Sequence, residues 1–242
     1  MTTVLKLGGS VITEKDRTET VDVANLGAAV EALAGREDVV VIHGGGSFGH
    51  HHAAEHGVSA TEGTHDGEAI RAIHGAMKRL NAAVVEGLSG EGTPALPVHP
   101  LSVASRDADG NLHAPTAHVE TMLAEGFVPV LHGDVIVHAE KGATILSGDE
   151  LVVALASALD ADRVGVCSAV PGVYDESGEV ISHIDSFEAV ADALGGSDET
   201  DVTGGMAGKV RQLLELDAEA YVFGIDGLDA FLDGRQPGTR ID

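Results

Sequence analysis

Three times in this chain a short, mainly apolar run stops at or just before glycine. Residues 3–7 (Thr-Val-Leu-Lys-Leu) end at Gly8-Gly9-Ser10, residues 38–43 at Gly44-Gly45-Gly46, and residues 128–131 at His132-Gly133-Asp134. Apolar runs without polar alternation predict strands buried on both faces, and residues 163–168 and 220–223 read as two more. Between the runs, residues 21–34, 65–89, 117–124, 148–159 and 207–216 show helical spacing. Strand, glycine turn and helix in alternation predict an α/β fold, a mainly parallel central sheet covered on both sides. Ligands gather at the carboxyl ends of such strands, where Gly8, Gly44 and Gly133 fall.

Two segments break the alternation. Residues 106–114 contain Asp109-Gly110 and residues 136–145 contain Lys141-Gly142, so both predict β-hairpins beside the main sheet. Residues 195–205, acidic and glycine-rich, predict a mobile loop ahead of a helix. No repeat or linker divides the 242 residues, so a single domain is expected, as one large unit or two modest lobes.

Charge narrows the partners. Against 39 acidic residues stand 14 basic ones, a formal net charge of −25. The basic residues are scattered, which excludes a patch able to neutralise several nucleic-acid phosphates. Such acidity is tolerable where molar salt shrinks electrostatic screening to about 3 Å, so a halophilic cytoplasm is expected. The single cysteine, Cys167, forms no intrachain disulfide, no signal-peptide pattern follows Met1, and no apolar run suggests a membrane span, which again predicts a cytoplasmic protein.

Only five residues are lysine, and Lys6, Lys15 and Lys209 lie in or beside glycine-rich segments. In Lys6-Leu7-Gly8-Gly9-Ser10 a cation sits at a strand end beside residues whose bare amides can approach an anion; a plain turn is the alternative. Gly44-Gly45-Gly46-Ser47-Phe48-Gly49-His50 follows a second strand and opens a helix, a second anion cradle that matches neither the P-loop nor the dinucleotide fingerprint. His50 facing that cradle would donate a hydrogen bond to a phosphate, whereas His51 and His52 read as exposed helix residues. No metal site is expected there, because consecutive helical residues point about 100° apart. Ser147-Gly148-Asp149-Glu150 reads as a capped helix start, and Thr203-Gly204-Gly205-Met206-Ala207-Gly208-Lys209 as a glycine loop bringing a lysine onto a helix's first turns.

Taken together and in order, these segments resemble the amino acid kinase superfamily and, within it, the isopentenyl phosphate kinases. The likeness runs from Lys6-Leu-Gly-Gly-Ser-Val-Ile-Thr-Glu-Lys15 through Ser-Phe-Gly-His50, Ser147-Gly148-Asp149-Glu150-Leu151 and Pro171-Gly172-Val173-Tyr174 to Gly238-Thr239-Arg240-Ile241. The resemblance implies an open αβα sandwich, with a phosphoryl-acceptor lobe at about 1–145 and a nucleotide lobe at about 146–242. It implies ATP and Mg²⁺, isopentenyl phosphate as acceptor, and a homodimer. Lys6 and Lys209 would hold the transferring phosphoryl group, Lys15 would add charge near the same oxygens, and Asp149 would orient the lysines. Gly8, Gly9, Ser10, Gly46, Gly204 and Gly205 would line the nucleotide phosphates, and Gly45, Gly46, Gly49, His50 and Gly133 the acceptor phosphate. Where many relatives carry an aspartate-containing loop this chain reads Ser168-Ala169-Val170-Pro171, leaving that nucleotide contact to backbone or Ser168. Ile73 and Met77, one turn apart on the longest predicted helix, are either core or the wall of a prenyl pocket. A kinase for a phosphonate acceptor and a non-catalytic nucleotide sensor are the competing readings.

The acidity yields a direct test. Chemical unfolding should show marked stabilisation between low and molar KCl; an unfolding midpoint independent of KCl would contradict a salt-adapted surface.

Overall fold

The computed structural model describes residues 1–194 and 205–242. The expected loop at residues 195–205 therefore lies, except for Gly205, outside the described residues. The strands are β1 (Thr3–Leu7), β2 (Val39–His43), β3 (Ala95–Pro97), β4 (Ser105–Arg106), β5 (Leu112–His113), β6 (Val128–His132), β7 (Asp134–His138), β8 (Gly142–Leu146), β9 (Arg163–Ser168), β10 (His183–Ile184), β11 (Glu219–Gly224) and β12 (Thr239–Ile241). The helices are α1 (Gly9–Ile12), α2 (Val23–Leu33), α3 (Gly46–Glu55), α4 (Gly67–Gly90), α5 (Pro100–Val103), α6 (Thr116–Ala124), α7 (Gly148–Ala158), α8 (Ala191–Leu194), α9 (Gly205–Leu213) and α10 (Leu228–Leu232).

Eight strands form one sheet in the order β10-β12-β11-β9-β1-β2-β6-β3. From β11 to β3 they run parallel, while β12 runs against β11 with β10 alongside it. β1 and β9 sit at the centre, and every residue of β2 is buried, as continuous apolar strands require. The two hairpins pair as a separate four-stranded sheet, β5-β4-β7-β8.

Alternation along the central strands sorts side chains to two cores. Val4, Val40, Val164 and Val222 pack with Leu151 and Leu155 of α7, Val119 of α6 and Val210 of α9. Leu5, Val41, Tyr221 and Phe223 pack on the opposite face with α2, α4 and α10. The same alternation assigns Lys6, two residues after Val4, to the α7–α9 side. Ile73 and Met77 are each 1% exposed, and Ile73 packs in a third, smaller cluster with Val58 and Val135. Among the described residues no helix is long and apolar enough to cross a membrane.

Candidate active site

Lys6 ends β1 on the face covered by α7 and α9, and only 5% of it reaches solvent. Its Nζ lies 2.6 Å from Asp149 Oδ1, on the first turn of α7. Lys209, on α9, approaches the other oxygen of the same carboxylate, Oδ2, at 3.4 Å. Two cations more than 200 positions apart in the chain thus meet on one anion, while Ser147 caps α7 by accepting from the Glu150 N–H at 3.1 Å. Burial raises the Asp149 pKa, but the charges of Lys6 and Lys209 outweigh it and hold the carboxyl below its ordinary range. Asp149 stays an anion that fixes both ammonium groups. Next to it, Glu150 accepts from Arg106 Nη2 at 2.6 Å, tying this helix start to the second sheet.

Glycine allows the loops after β1 and β2 to touch backbone to backbone. A Cβ on Gly9 would lie 2.2 Å from Gly46 N, and one on Gly46 2.1 Å from Thr13 Oγ1. Gly46 also has φ of +48°, a left-handed conformation that disfavours any side chain. Thr13 locks the contact by donating to Gly9 O at 2.7 Å and accepting from Ser47 N at 3.0 Å. A Cβ on Gly148 would come within 3.2 Å of Lys6 Cε and 3.8 Å of Gly44 Cα, and one on Gly133 within 3.2 Å of Gly148 N. The three glycine segments and the start of α7 therefore share one floor around Lys6.

The amide cradle is narrower than the sequence predicts. Gly8 N–H donates to Cys167 O at 2.8 Å and Gly133 N–H to His43 O at 2.9 Å, so both are committed to neighbouring strand ends and serve by close packing. Gly9, Ser10, Gly45 and Gly46 begin α1 or α3, where first-turn amides have no partner within their own helix. Glycine at Gly49 lets Met77 Sδ approach, since a Cβ there would lie 2.7 Å from it.

His50 is exposed on α3 with its ring edge beside Gly45, whose Cβ would lie 3.3 Å from His50 Cδ2. Lys15 stands exposed in the loop closed by the Thr13–Val21 bridge and takes no part in the Lys6–Asp149–Lys209 ion pairs. Ser168 and Ser10 line a cavity of about 340 Å³ at the ends of β9 and β11, with Pro171, Gly224 and Asp226. Gly205 opens α9 with φ of +60°, and Gly204 lies outside the described residues. His52 departs from its expected exposed role: its Nε2 lies 2.7 Å from Glu19 Oε1.

A buried histidine network underlies the cradle and was not anticipated. His43 and His132 occupy paired positions at the ends of β2 and β6, each just before a cradle glycine. His43 Nδ1 lies 3.1 Å from Gly44 O and His132 Nδ1 2.9 Å from Gly133 O, which orients those peptides. The far side of each ring is also held, His43 Nε2 by Asn81 Nδ2 at 3.2 Å and His132 Nε2 by His99 Nδ1 at 2.9 Å. The repeated His-Gly at two strand ends was the available signal.

The Amino acid kinase family profile matches residues 1–220. The chain belongs to the amino acid kinase family. Within the family it is 66% identical over 241 residues to the isopentenyl phosphate kinase of Haloferax volcanii, a match covering 98% of this chain and 97% of that one. It is 34% identical to the isopentenyl phosphate kinase of Methanothermobacter thermautotrophicus, across 88% of this chain and 86% of the other. A solved structure titled "X-ray structures of isopentenyl phosphate kinase" superposes with a TM-score of 0.85 at 29% identity, covering 100% of both chains.

The network makes stability depend on pH. Burial lowers the pKa of His43 from 6.5 to about 4 and that of His132 to about 3. Between 6.5 and those values the unfolded chain binds more protons, so the stability these rings confer is complete above pH 6.5 and is lost as pH falls toward 4 for His43 and toward 3 for His132. Each ring contributes at most about 1.4 kcal/mol per pH unit. Unfolding in molar KCl should show this slope, reduced in His132→Asn; an unchanged slope would remove His132 from it.

Proposed function

We propose that the protein transfers the γ-phosphoryl group of ATP to isopentenyl phosphate, giving isopentenyl diphosphate and ADP. The observation that carries this reading is the meeting of Lys6 and Lys209 on Asp149 beside two glycine-lined loops. Similarity to the Haloferax volcanii isopentenyl phosphate kinase supplies the acceptor class.

The chemistry follows from bringing two anions together. An oxygen of the acceptor phosphate forms a bond to the γ-phosphorus as the bond to the β-phosphate oxygen breaks, and ADP leaves. The acceptor is already ionised near neutral pH, so the step needs charge stabilisation more than a base. Lys6 and Lys209 hold the equatorial oxygens of the moving group, and Asp149 keeps the two ammonium groups aimed. Lys15 adds charge from the exposed loop. His50, with Gly45, Gly46 and the close-packed Gly49 and Gly133, frames the acceptor phosphate. Gly8, Gly9, Ser10 and Gly205 frame the nucleotide phosphates, and the cavity beside Ser168 receives the nucleoside. By family resemblance, residues 1–145 make up most of the acceptor side and residues 146–242 most of the nucleotide side, with Gly8, Gly9 and Ser10 reaching across to the nucleotide phosphates.

Bound with ATP, Mg²⁺ would supply charge neutralisation at the donor phosphates. Asp149 has both oxygens facing lysines, a donor set that fits an ion carried mainly by phosphates and water. The proposal extends to a cytoplasmic homodimer in a salt-loving archaeon that feeds isoprenoid lipid synthesis. The acidity and the Haloferax volcanii likeness support the setting, and family resemblance supports the dimer.

Phosphorus NMR tests the reading: ATP and Mg²⁺ in molar KCl with isopentenyl phosphate should yield a diphosphate, whereas turnover of a phosphonate acceptor alone would favour the competing kinase reading. His50→Ala should lower kcat/KM for isopentenyl phosphate about a hundredfold. Unchanged kinetics would remove His50 from the acceptor site.

A further inference from the structure

Past His50, α3 carries His51, His52 and, one turn on, Glu55. One donor atom from each lies within 4.8 Å of the others. A metal here would need only two of the three consecutive histidines. Three consecutive histidines cannot share an ion, but two adjacent ones can converge when their rings fold toward each other and a carboxylate rises from the next turn. The His51 and His52 ring centroids are 5.1 Å apart with planes at 73°, and Glu55 follows His51 by four positions and His52 by three.

His52 supplies the second, independent observation. Glu19 accepts from Arg79 Nε at 2.9 Å and Nη2 at 2.7 Å, which fixes its carboxylate. A carboxylate only accepts, so its 2.7 Å contact with His52 Nε2 puts a proton on that nitrogen. In the neutral ring Nδ1 then presents a lone pair, and Nδ1 is buried with no hydrogen-bond partner. It faces Glu55 Oε2 at 3.5 Å. When Nδ1 carries no proton, two acceptor atoms face each other there, and a cation between them would resolve the conflict. The histidines under the cradle differ, because His43 and His132 have both ring nitrogens engaged.

We infer that His51, His52 and Glu55 bind a divalent first-row transition ion, of which Zn²⁺ is the representative, with water in the remaining position. Two imidazoles and one carboxylate suit Zn²⁺ and are poor ligands for Mg²⁺. Ligand atoms around tetrahedral zinc stand about 3.3 Å apart, so the observed spread closes by small side-chain rotations. Glu19 is the outer partner that sets the His52 tautomer, and through it the ion would join α3 to the loop carrying Lys15. The inference rests on these residues alone and stands whether or not the acceptor reading does.

Calorimetric titration of the whole protein with ZnCl₂ in molar KCl, without nucleotide, tests it. One Zn²⁺ should bind per chain and raise Tm, and Co²⁺ should produce visible ligand-field absorption. His52→Asn and Glu55→Gln should each weaken Zn²⁺ binding at least about tenfold, and Glu19→Gln by about 10- to 100-fold, with Tm in the absence of metal largely retained. Binding by His52→Asn and Glu55→Gln as tight as the parent's would overturn the assignment. So would displacement of Zn²⁺ by equimolar Mg²⁺, or a parent that binds no Zn²⁺ because a second proton on His52 already bridges to Glu55.

Discussion

One carboxylate between two ammonium groups is the interaction on which the site depends. Unit charges about 4 Å apart interact by about 4 kcal/mol at the effective dielectric of a protein surface, so lysines gathered without an anion would drive each other away. Asp149 removes that conflict while leaving both cations near the glycine loops. When a phosphoryl group arrives, its oxygens meet donors already in place, and little reorganisation accompanies charge development. The ion pairs are part of this pre-organisation more than of overall stability, because burying charges offsets much of their mutual attraction.

The fold supplies the convergence through simple geometry. Alternation along β1 aims Lys6 at the α7–α9 side, the Ser147 cap starts α7 beside the ends of β1 and β2, and α9 brings Lys209 to the same carboxylate. Glycines at Gly9, Gly46 and Gly148 then allow backbones and the Lys6 side chain to approach to distances that a Cβ would forbid. The histidines under Gly44 and Gly133 hold those peptides from below.

Much of this was legible because it is local. The apolar runs of β1 and β9, the two glycine-turn hairpins and the capped start of α7 each carry their signal within a few residues, and their predicted bounds fall on or near the observed ones. What escaped depends on partners distant in sequence. β12 has only three residues and is a strand because it pairs with β11, and β3 because it pairs with β6. Gly8 looked like an open amide until Cys167 O took its N–H, and His52 looked exposed until Glu19, 33 positions away, met its ring. The lysines were conspicuous for their rarity in an acidic chain; the buried histidines, among 13 in all, were not.

The account's central claim is that Lys6 and Lys209 act as one unit through Asp149. A double-mutant cycle on kcat/KM with Lys6→Met and Lys209→Met measures this directly. The prediction is strong non-additivity: the double variant should fall at least about tenfold less than the product of the single losses, a coupling of about 1.4 kcal/mol or more. Single losses that simply multiply would contradict it, and would mean that the two cations serve the reaction independently.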